Sequence, residues 1–405
     1  MALVALLSAR DGARDPLSPG TGGRLIDFGG QPLVEYQARL ARACGVERVL
    51  IQIDGATPDL ARLVDRVAGD HGGAIALVQD MTSLSRSLDA DDQVLVLAEN
   101  LVVPGDALAS LLVNGAPALL ALPSVPSTAS FERIDGEAMW AGALCLSGRA
   151  VLATLDMLGD WDLSLTLLRR AVQDGVARLP LSPELVMDGR LTLVRDQASA
   201  DIALEALSDT QGSAGASPRG GLLDGLQASL AGPLVRELVR RQIEPARLAM
   251  VGLAVGLCAL GLGLAGWLVA ALLAMLVSLG LSDLARRCGQ LTLRGAGPAW
   301  QRRLVYGGAL SLLALAGYRL GQGNLLALTG AWLPLLLIGL MTLADELAPV
   351  EGIWARWSRL GPTAALVVIL LGALFDLAPA AFALLGLLAV LAMAVRLLPV
   401  THAKV

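Results

Sequence analysis

The second half of the chain consists of long apolar runs with few charges, and this pattern restricts the fold more than any other feature. From Ala246 onward we predict six membrane-spanning helices, at Ala246–Leu262, Gly266–Leu281, Leu304–Leu320, Asn324–Leu343, Thr363–Phe375 and Ala378–Leu398. Several runs are near or below the roughly twenty residues that cross a bilayer, so five spans also agree with the sequence. Over all 405 residues only 17% are charged, against about a quarter in soluble domains.

The placement of basic residues agrees with six spans. Basic residues precede the first span, follow the second and fourth, and occupy the tail: Arg236, Arg240, Arg241, Arg247, Arg286, Arg287, Arg294, Arg302, Arg303, Arg356, Arg359, Arg396 and Lys404. In the alternate loops, Arg319 after the third span is the only basic residue, and Asp376 follows the fifth span. Because basic loops stay in the cytoplasm, we predict a multi-pass membrane protein with both termini cytoplasmic. The predicted spans contain no chain of acids, which argues against an ion or proton transporter.

Residues 1–205 follow another pattern, in which short apolar strands alternate with amphipathic helices. The candidate strands are Leu3–Ser8, Arg48–Ile53, Ala74–Val78, Gln93–Leu97, Ala118–Leu122 and Ala143–Leu146, and the candidate helices include Pro32–Cys44, Pro58–Ala68 and Gly105–Leu112. This alternation predicts a soluble α/β domain with a mainly parallel sheet and helices on both faces. The apolar N-terminus is short and lacks a preceding basic residue, so it is predicted to be a buried strand rather than a signal peptide.

Two segments connect this domain to the apolar half. Residues 206–221 are rich in Ser, Gly, Ala and Pro, which predicts a flexible linker. Residues 222–243 predict an amphipathic juxtamembrane helix with an apolar stripe at Leu226, Leu230, Leu234 and Leu238. Such a helix either lies on an anionic membrane surface or packs against protein. The all-α transmembrane domain then covers residues 244–405.

The residue counts exclude several kinds of chemistry. Lys404 is the only lysine, which excludes a P-loop lysine or a Schiff base within the fold. The two histidines, His71 and His402, are too few for a histidine-based metal site or triad. The four cysteines have no metal-ligand spacing and fit a reduced, cytosol-facing protein. A net charge of −5 gives no reason to expect nucleic acid as a partner.

The approach to the first span resembles the CDP-alcohol phosphatidyltransferases. The resemblance is carried by Arg241-Gln-Ile243-Glu-Pro245-Ala-Arg-Leu248, by the six spans, and by the basic loop after the second span. The family signature reads D-x-x-D-G-x-x-A-R, eight residues, then G-x-x-x-D-x-x-x-D, and its aspartates hold divalent metals against the CDP-lipid diphosphate. The resemblance implies phospholipid biosynthesis in a bacterial inner membrane, a lipid bilayer with anionic lipid or a CDP-linked head group as partners, and a homodimer.

The signature is only partly retained in this chain. Ala285, Arg286 and Gly295 fall at the family's Ala, Arg and second Gly. The four metal-ligand positions hold Ser278, Leu281, Ala299 and Arg303. We therefore predict a degenerate site with no metal, and Mg²⁺ or Mn²⁺ would act only if a residual site exists.

Two groups of nearby charged residues leave alternatives open. One group of acids either builds another metal site or consists of loop charges: Asp283, Asp345, Glu346 and Glu351. One group of arginines either marks the cytoplasmic side or lines a pocket for a phosphate-bearing head group: Arg286, Arg287, Arg302 and Arg303.

The N-terminal domain resembles the nucleotidyltransferases of cytidylyltransferase type, which have a glycosyltransferase-A-like fold. The matching segments are Gly30-Gln-Pro32-Leu33-Val34-Glu35-Tyr36-Gln37 and Gly45-Val46-Glu47-Arg48-Val49-Leu50. In that family a G-x-G-x-R loop wraps the nucleotide phosphates with backbone N–H groups. The residues of that form here are Gly20, Gly22, Gly23 and Arg24, and the lysine that usually follows is missing. Glu99 stands where the family's metal-binding aspartate ends a strand, and it is either its replacement or a polar strand end.

The two resemblances together match bifunctional enzymes that make CDP-inositol and then di-inositol phosphate phosphate. They imply a membrane transferase-like protein of phospholipid and polar head-group metabolism that is catalytically degenerate. The alternative is a pseudoenzyme that serves as a scaffold or regulatory partner subunit of a lipid-synthesis or envelope complex.

Overall fold

The computed structural model describes residues 2–9, 26–55, 58–71, 74–113, 117–155, 162–215, 232–235, 237–241, 243–295, 297–320, 338 and 361–397. The chain divides into two compact units. The first comprises Met1–Leu207 together with Thr292–Arg294, and the second comprises Ser208–Leu291 and Gly295–Val405. The first unit is an α/β fold, and the described part of the second is helical.

The first unit is built on a sheet of eight strands. The strands are β1 (Leu3–Ser8), β2 (Arg48–Gln52), β3 (Ala74–Val78), β4 (Gln93–Leu97), β6 (Ala118–Pro123), β7 (Glu132–Arg133), β8 (Ala138–Ser147) and β9 (Ala177–Pro180). Their order is β3-β2-β1-β4-β8-β6-β9, with β7 paired to β8. A separate antiparallel pair joins β5 (Leu101–Val102) to β10 (Thr192–Leu193). The predicted strands agree with these within a few residues, because their apolar runs are buried in the core.

The sheet is mixed rather than mainly parallel. β1 pairs in parallel with β2 and β4, and β3 pairs in parallel with β2. β8 runs antiparallel to both β4 and β6, whereas β9 is parallel to β6. The predicted parallel arrangement is therefore right for β1–β4 and wrong at β8. A buried apolar strand carries no alternation that reveals its direction, so the sequence could not show this.

Helices cover the sheet of the first unit. They are α1 (Leu33–Ala43), α2 (Pro58–His71), α3 (Met81–Arg86), α4 (Gly105–Val113), α5 (Gly148–Leu155), α6 (Leu163–Gln173), α7 (Glu184–Met187) and α8 (Gln197–Gly215). α8 continues through residues 206–215, where composition predicted a flexible linker. Ala200 and Ala203 are buried in the core and anchor its first half. Extending a helix that is already formed is easier than starting one, which accounts for the difference.

Five helices with defined bounds follow in the described part of the second unit, after the helical residues 232–235 and 237–240. They are α9 (Pro245–Leu264), α10 (Leu268–Thr292, whose last residue counts with the first unit), α11 (Ala299–Leu320), α12 (Pro362–Leu374) and α13 (Ala378–Leu397). By length and composition, α9 and α10 could cross a membrane, and Pro362–Leu374 and Pro379–Met393 are apolar but shorter. The described residues thus contain two candidate spans where six were predicted. α11 covers the predicted span Leu304–Leu320. It is not one of the two candidate spans, because arginines near both of its ends lower its mean hydropathy.

Two predicted segments are described only in part. The predicted span Asn324–Leu343 lies outside the described residues except for Ile338. Within the predicted amphipathic helix 222–243, residues 232–235 and 237–240 are helical. Val235 and Val239 are buried there, whereas Leu234 of the predicted stripe is 53% exposed. Val235 and Val239 thus take the side that packs on protein, and the predicted contact of the leucine stripe with a membrane surface stays a prediction.

Candidate functional site

The strand order of the first unit creates a topological switch point between β1 and β4. From β1 the chain builds outward through β2 and β3, and it then returns to place β4 on the other side of β1. In open α/β sheets, ligands bind outside the carboxyl ends of the strands at such a point. The residues that leave β1 and β4 at this edge are therefore the first candidates for a ligand site.

The turn that follows β4 places Glu99 at this edge. Glu99 is half-buried, and Asn100 after it has a left-handed φ of 55° that redirects the chain into β5. The buried amide of Gln37 in α1 donates from Nε2 to the carbonyl oxygens of Ala98, at 3.1 Å, and Leu101, at 2.9 Å. The backbone on either side of Glu99 is thus fixed by a side chain from the core.

Gly142 of β8 lies directly against the same turn. Its φ is 86°, and its carbonyl oxygen accepts a hydrogen bond from the N–H of Ala98 at 2.7 Å. A Cβ at this position would lie 2.8 Å from Cδ1 of Leu101 and 3.3 Å from Cβ of Ala98. Glycine is therefore needed here for β8 to pair with the end of β4.

The other acids at this sheet edge are placed differently. Asp80 follows β3 and caps α3, where its Oδ1 accepts a hydrogen bond from the N–H of Ser83 at 2.6 Å. This hydrogen bond lowers the pKa of Asp80, so the residue stays ionised as a cap. Asp54 follows β2, one strand further from the switch point. β4 borders the switch point, and Glu99 lies in the turn that follows it. Glu99 is thus closer to the switch point along the sheet than Asp54 or Asp80.

The predicted phosphate loop lies outside the described residues. Gly20, Gly22, Gly23 and Arg24 belong to the segment between β1 and Ile26, so their role stays a prediction. The chain is described again from Ile26, and it enters α1 through two glycines with positive φ, Gly29 at 64° and Gly30 at 77°.

A buried ion cluster lies in α1, directly after this entry. Glu35 is 0% exposed, and its carboxylate receives Arg39 Nη2 at 3.0 Å and Arg66 Nη2 of α2 at 2.7 Å. Arg294 Nη2 lies 3.4 Å from Oε1 of Glu35 and donates to the carbonyl oxygen of Gly30 at 3.0 Å. One sequence signal indicates this cluster, the i, i+4 spacing of Glu35 and Arg39, and our predictions missed it.

The segment Thr292–Arg294 is part of the first unit through these contacts. Beside Arg294, the carbonyl oxygen of Thr292 accepts a hydrogen bond from the buried Gln31 Nε2 at 2.7 Å. Leu293 packs on the hydrophobic core of the same unit. The loop that leads into α1 is therefore held by residues far away in the sequence.

In the second unit, Ser278 and Leu281, two of the four positions compared above with the family's metal ligands, lie in a helix–helix contact. Ser278 of α10 is completely buried, and its Oγ donates to the carbonyl oxygen of Gly252 in α9 at 2.6 Å. A Cβ at Gly252 would lie 3.3 Å from Cβ of Leu281, and one at Gly256 would lie 2.8 Å from Oγ of Ser278. Gly252 and Gly256 form a G-x-x-x-G pair, which allows close approach of helices in membranes.

The other residues compared above with the family signature form no metal site in the described part of the chain. Asp283 forms ion pairs within its own helix with Arg286 and with Arg287, whose Nε lies 2.7 Å from Oδ2. Arg303 is exposed and cationic, and the side chain of Ala299 lies outside the described set. Among the described residues, no three His, Cys, Asp or Glu side chains are grouped to hold a metal ion. This donor set does not fit a divalent cation.

The other predicted head-group residues lie near the start of α11. Arg302 is exposed in the first turn of this helix, and Gly295 is exposed in the connection that precedes it. Arg287 is mostly buried, whereas Arg286 is exposed. A pocket formed by these residues stays a prediction.

The similarity of the chain to known proteins lies among solved structures. No family model and no curated protein matches it. One solved structure to which it is similar is that of the inositol-1-phosphate CTP transferase from T. maritima. The two share 16% sequence identity with a TM-score of 0.37, over 50% of this chain and 95% of that chain. At this level the similarity indicates neither a substrate nor an activity.

Proposed function

We propose that this is a membrane-bound, transferase-like protein of polar head-group metabolism whose α/β unit binds a cytidine nucleotide. The observation that carries the proposal is the fixed turn Ala98–Asn100, which holds Glu99 at the switch point between β1 and β4. Ligands of α/β sheets bind at this place. The cytidine nucleotide is inferred from the resemblance of Gly30–Gln37 and Gly45–Leu50 to cytidylyltransferases.

Each part of the proposed site has a physical role. Backbone N–H groups of Gly20–Arg24 would hold the phosphates, and the guanidinium of Arg24 would balance their charge. The Glu99 carboxylate would help to hold the Mg²⁺ ion that accompanies a nucleoside triphosphate. Lys404 is the only lysine in the chain, so a lysine in the fold cannot supply this charge.

The first test measures binding of Mg²⁺–CTP to the full-length protein by titration calorimetry. We expect the wild type to bind, and Arg24→Ala or Glu99→Gln to weaken binding about tenfold or more, because each removes a charged contact. Glu47→Gln is the matched control, since Glu47 is exposed and precedes β2 at the opposite edge of the sheet. Absence of binding by the wild type, or equal loss in all three variants, would contradict the proposal.

Insertion in a membrane is part of the same proposal. Large apolar side chains are exposed on α9, α12 and α13, among them Leu257, Leu371 and Leu387. Exposed apolar side chains on this scale mark surfaces that contact a membrane or another protein. Together with the arginine-rich loops, this supports a multi-pass protein of the bacterial inner membrane with cytoplasmic termini.

For the helical unit, we propose a relation to the CDP-alcohol phosphatidyltransferases without their metal-dependent transfer. Support comes from the contact of α9 and α10, in which the hydroxyl of Ser278 is committed to Gly252. Asp283 supports it too, because both of its oxygens are bonded to arginines of the same helix. Neither residue is arranged as a ligand for Mg²⁺ or Mn²⁺.

The second test assays release of CMP from CDP-diacylglycerol with Mg²⁺ or Mn²⁺ and a polyol acceptor. We expect no release above the protein-free background, and no difference between the wild type and Asp283→Ala. Metal-dependent release that disappears in Asp283→Ala would contradict the proposal for the helical unit.

A scaffold or regulatory subunit is the second candidate function. The packed contact at Ser278 and Gly252 favours it, because this position now serves helix association. The two assays separate the candidates. Nucleotide binding without CMP release supports the first proposal, whereas absence of both supports the scaffold.

A further inference from the structure

Helices α9, α10 and α11 lie side by side, so that their ends meet at two opposite ends of the group. Near the start of α9, a Cβ at Gly297, just before α11, would lie 3.7 Å from Cβ of Ala249. Near the end of α9, a Cβ at Gly263 would lie 2.6 Å from Cδ1 of Leu312 and 3.7 Å from Cβ of Ala271. α9 and α11 therefore run parallel to each other, and α10 runs antiparallel to both.

The middle of each helix is free of charge and exposes apolar side chains. No charged residue lies between Arg303 and Arg319 in α11, after Arg247 in α9, or before Asp283 in α10. Large apolar residues of these stretches are at least half exposed: Met250, Val251, Leu257, Leu273, Val277 and Leu304. Contact of such a band with lipid chains costs no free energy, whereas its exposure to water is unfavourable.

Exposed aromatic residues lie at both ends of this band, and Tyr306, which is 41% exposed, lies on α11 between them. Trp300 lies in the first turn of α11, Tyr318 near its end, and Trp267 in the turn between α9 and α10. At 1.5 Å per residue, Trp300 and Tyr318 are about 27 Å apart along the helix axis. The hydrocarbon core of a bilayer is about 30 Å thick, and Trp and Tyr concentrate at its two boundaries.

Arginines distinguish the two ends. In the described parts of α9–α11 that belong to the second unit, the Trp300 end carries Arg247, Arg286, Arg287, Arg302 and Arg303. The other end carries Arg319, whose Nη2 donates to the carbonyl oxygen of Leu264 at 2.8 Å. This bond places a cation at the C-terminus of α9, where the helix dipole favours it. The Trp300 end thus has the charge that fits an anionic lipid surface.

We propose that α9, α10 and α11 cross the bilayer together, with one lipid–water boundary at Trp300 and the other at Trp267 and Tyr318. The Trp300 boundary faces the anionic leaflet. α11 is thus a third crossing helix, although its terminal arginines lower its hydropathy. This inference rests on the proposed membrane insertion and adds the crossing helices and their depth.

The test labels the full-length protein in sealed vesicles of phosphatidylethanolamine and phosphatidylglycerol. A membrane-impermeant sulfonated maleimide is supplied on both sides of the vesicle wall, and labelled peptides are identified by mass. Two positions exposed at mid-helix are compared with two at the proposed boundaries. The mid-helix probes are native Cys258 in α9 and Ser311→Cys in α11, and the boundary probes are Trp300→Cys and Tyr318→Cys.

We expect the boundary cysteines to react, and Cys258 and Ser311→Cys to react only after the vesicles are dissolved in detergent. Labelling of Ser311→Cys as fast as that of Trp300→Cys would overturn the inference for α11, and rapid labelling of Cys258 would overturn it for α9. Flotation of the vesicles separates this result from the proposed function. Protein that floats with the lipid but reacts at mid-helix is membrane-bound with other boundaries, whereas protein that does not float contradicts membrane insertion itself.

Discussion

Replacing Glu35 by glutamine is expected to lower the free energy of unfolding of the α/β unit by about 3–5 kcal/mol. The reason is the environment of the arginines that bind it. Arg39 is 1% exposed and Arg294 is 16% exposed, so their charges would stay buried with a neutral amide as partner. Leaving buried charge without its counter-charge is among the costliest single changes in a protein. Hydrogen exchange of α1 peptides in increasing urea, on the full-length protein, measures the loss.

Two variants make this result specific. Glu47→Gln removes an exposed carboxylate near α1 and should change stability by no more than about 0.5 kcal/mol. Arg66→Met should cost less than Glu35→Gln, because Arg66 is 45% exposed and Glu35 keeps its other two arginines. Equal protection of α1 in Glu35→Gln and Glu47→Gln would show that the cluster does not stabilise the unit.

Replacing Gly256 by isoleucine is expected to separate α9 from α10 and to destabilise the helical unit by about 1–3 kcal/mol or more. Its first added carbon alone would lie 2.8 Å from Oγ of Ser278, closer than side chains pack. The displaced hydroxyl would also lose its hydrogen bond to Gly252 in a buried position. The measurement is the midpoint of thermal aggregation of the detergent-solubilised protein, which should fall by several degrees.

The same helix provides the matched control. Gly261 has no heavy atom within 4 Å of an added Cβ and is exposed, so Gly261→Ile should leave the midpoint close to that of the wild type. Both variants add the same side chain to the same helix, which removes differences in helix propensity and hydropathy. A similar fall in both would mean that the α9–α10 contact does not hold the unit together.

The sequence predicted the first unit well where local pattern decides structure. β1–β4 and α1 were located within a few residues, because their apolar runs and amphipathic faces are confined to single elements. The direction of β8 could not be predicted, since it depends on which neighbours the strand meets. The Glu35 cluster was missed for a related reason: Arg294 is 259 residues away in the chain.

In the helical unit, the sequence did not predict how the helices pack against one another. The interpretation of Ser278 as a substituted ligand position comes from the family resemblance and stays a prediction. The contact of Ser278 with Gly252 depends on how α9 and α10 pack, which hydropathy does not encode. Hydropathy also predicted six spans by treating every apolar run alike, whereas helix length and charge leave α9 and α10 as candidates among the described residues.

The inclusion of Thr292–Arg294 in the first unit has a consequence for how the protein is made. A ribosome completes the chain up to Leu207 long before it reaches Arg294, so the nascent α/β unit first folds around Glu35 with an incomplete set of partners. The hydrogen bonds from Gln31 to Thr292 and from Arg294 to Gly30 can form only after α10 has been synthesised. A recombinant fragment that stops at Leu207 would lack these hydrogen bonds and the contact of Arg294 with Glu35.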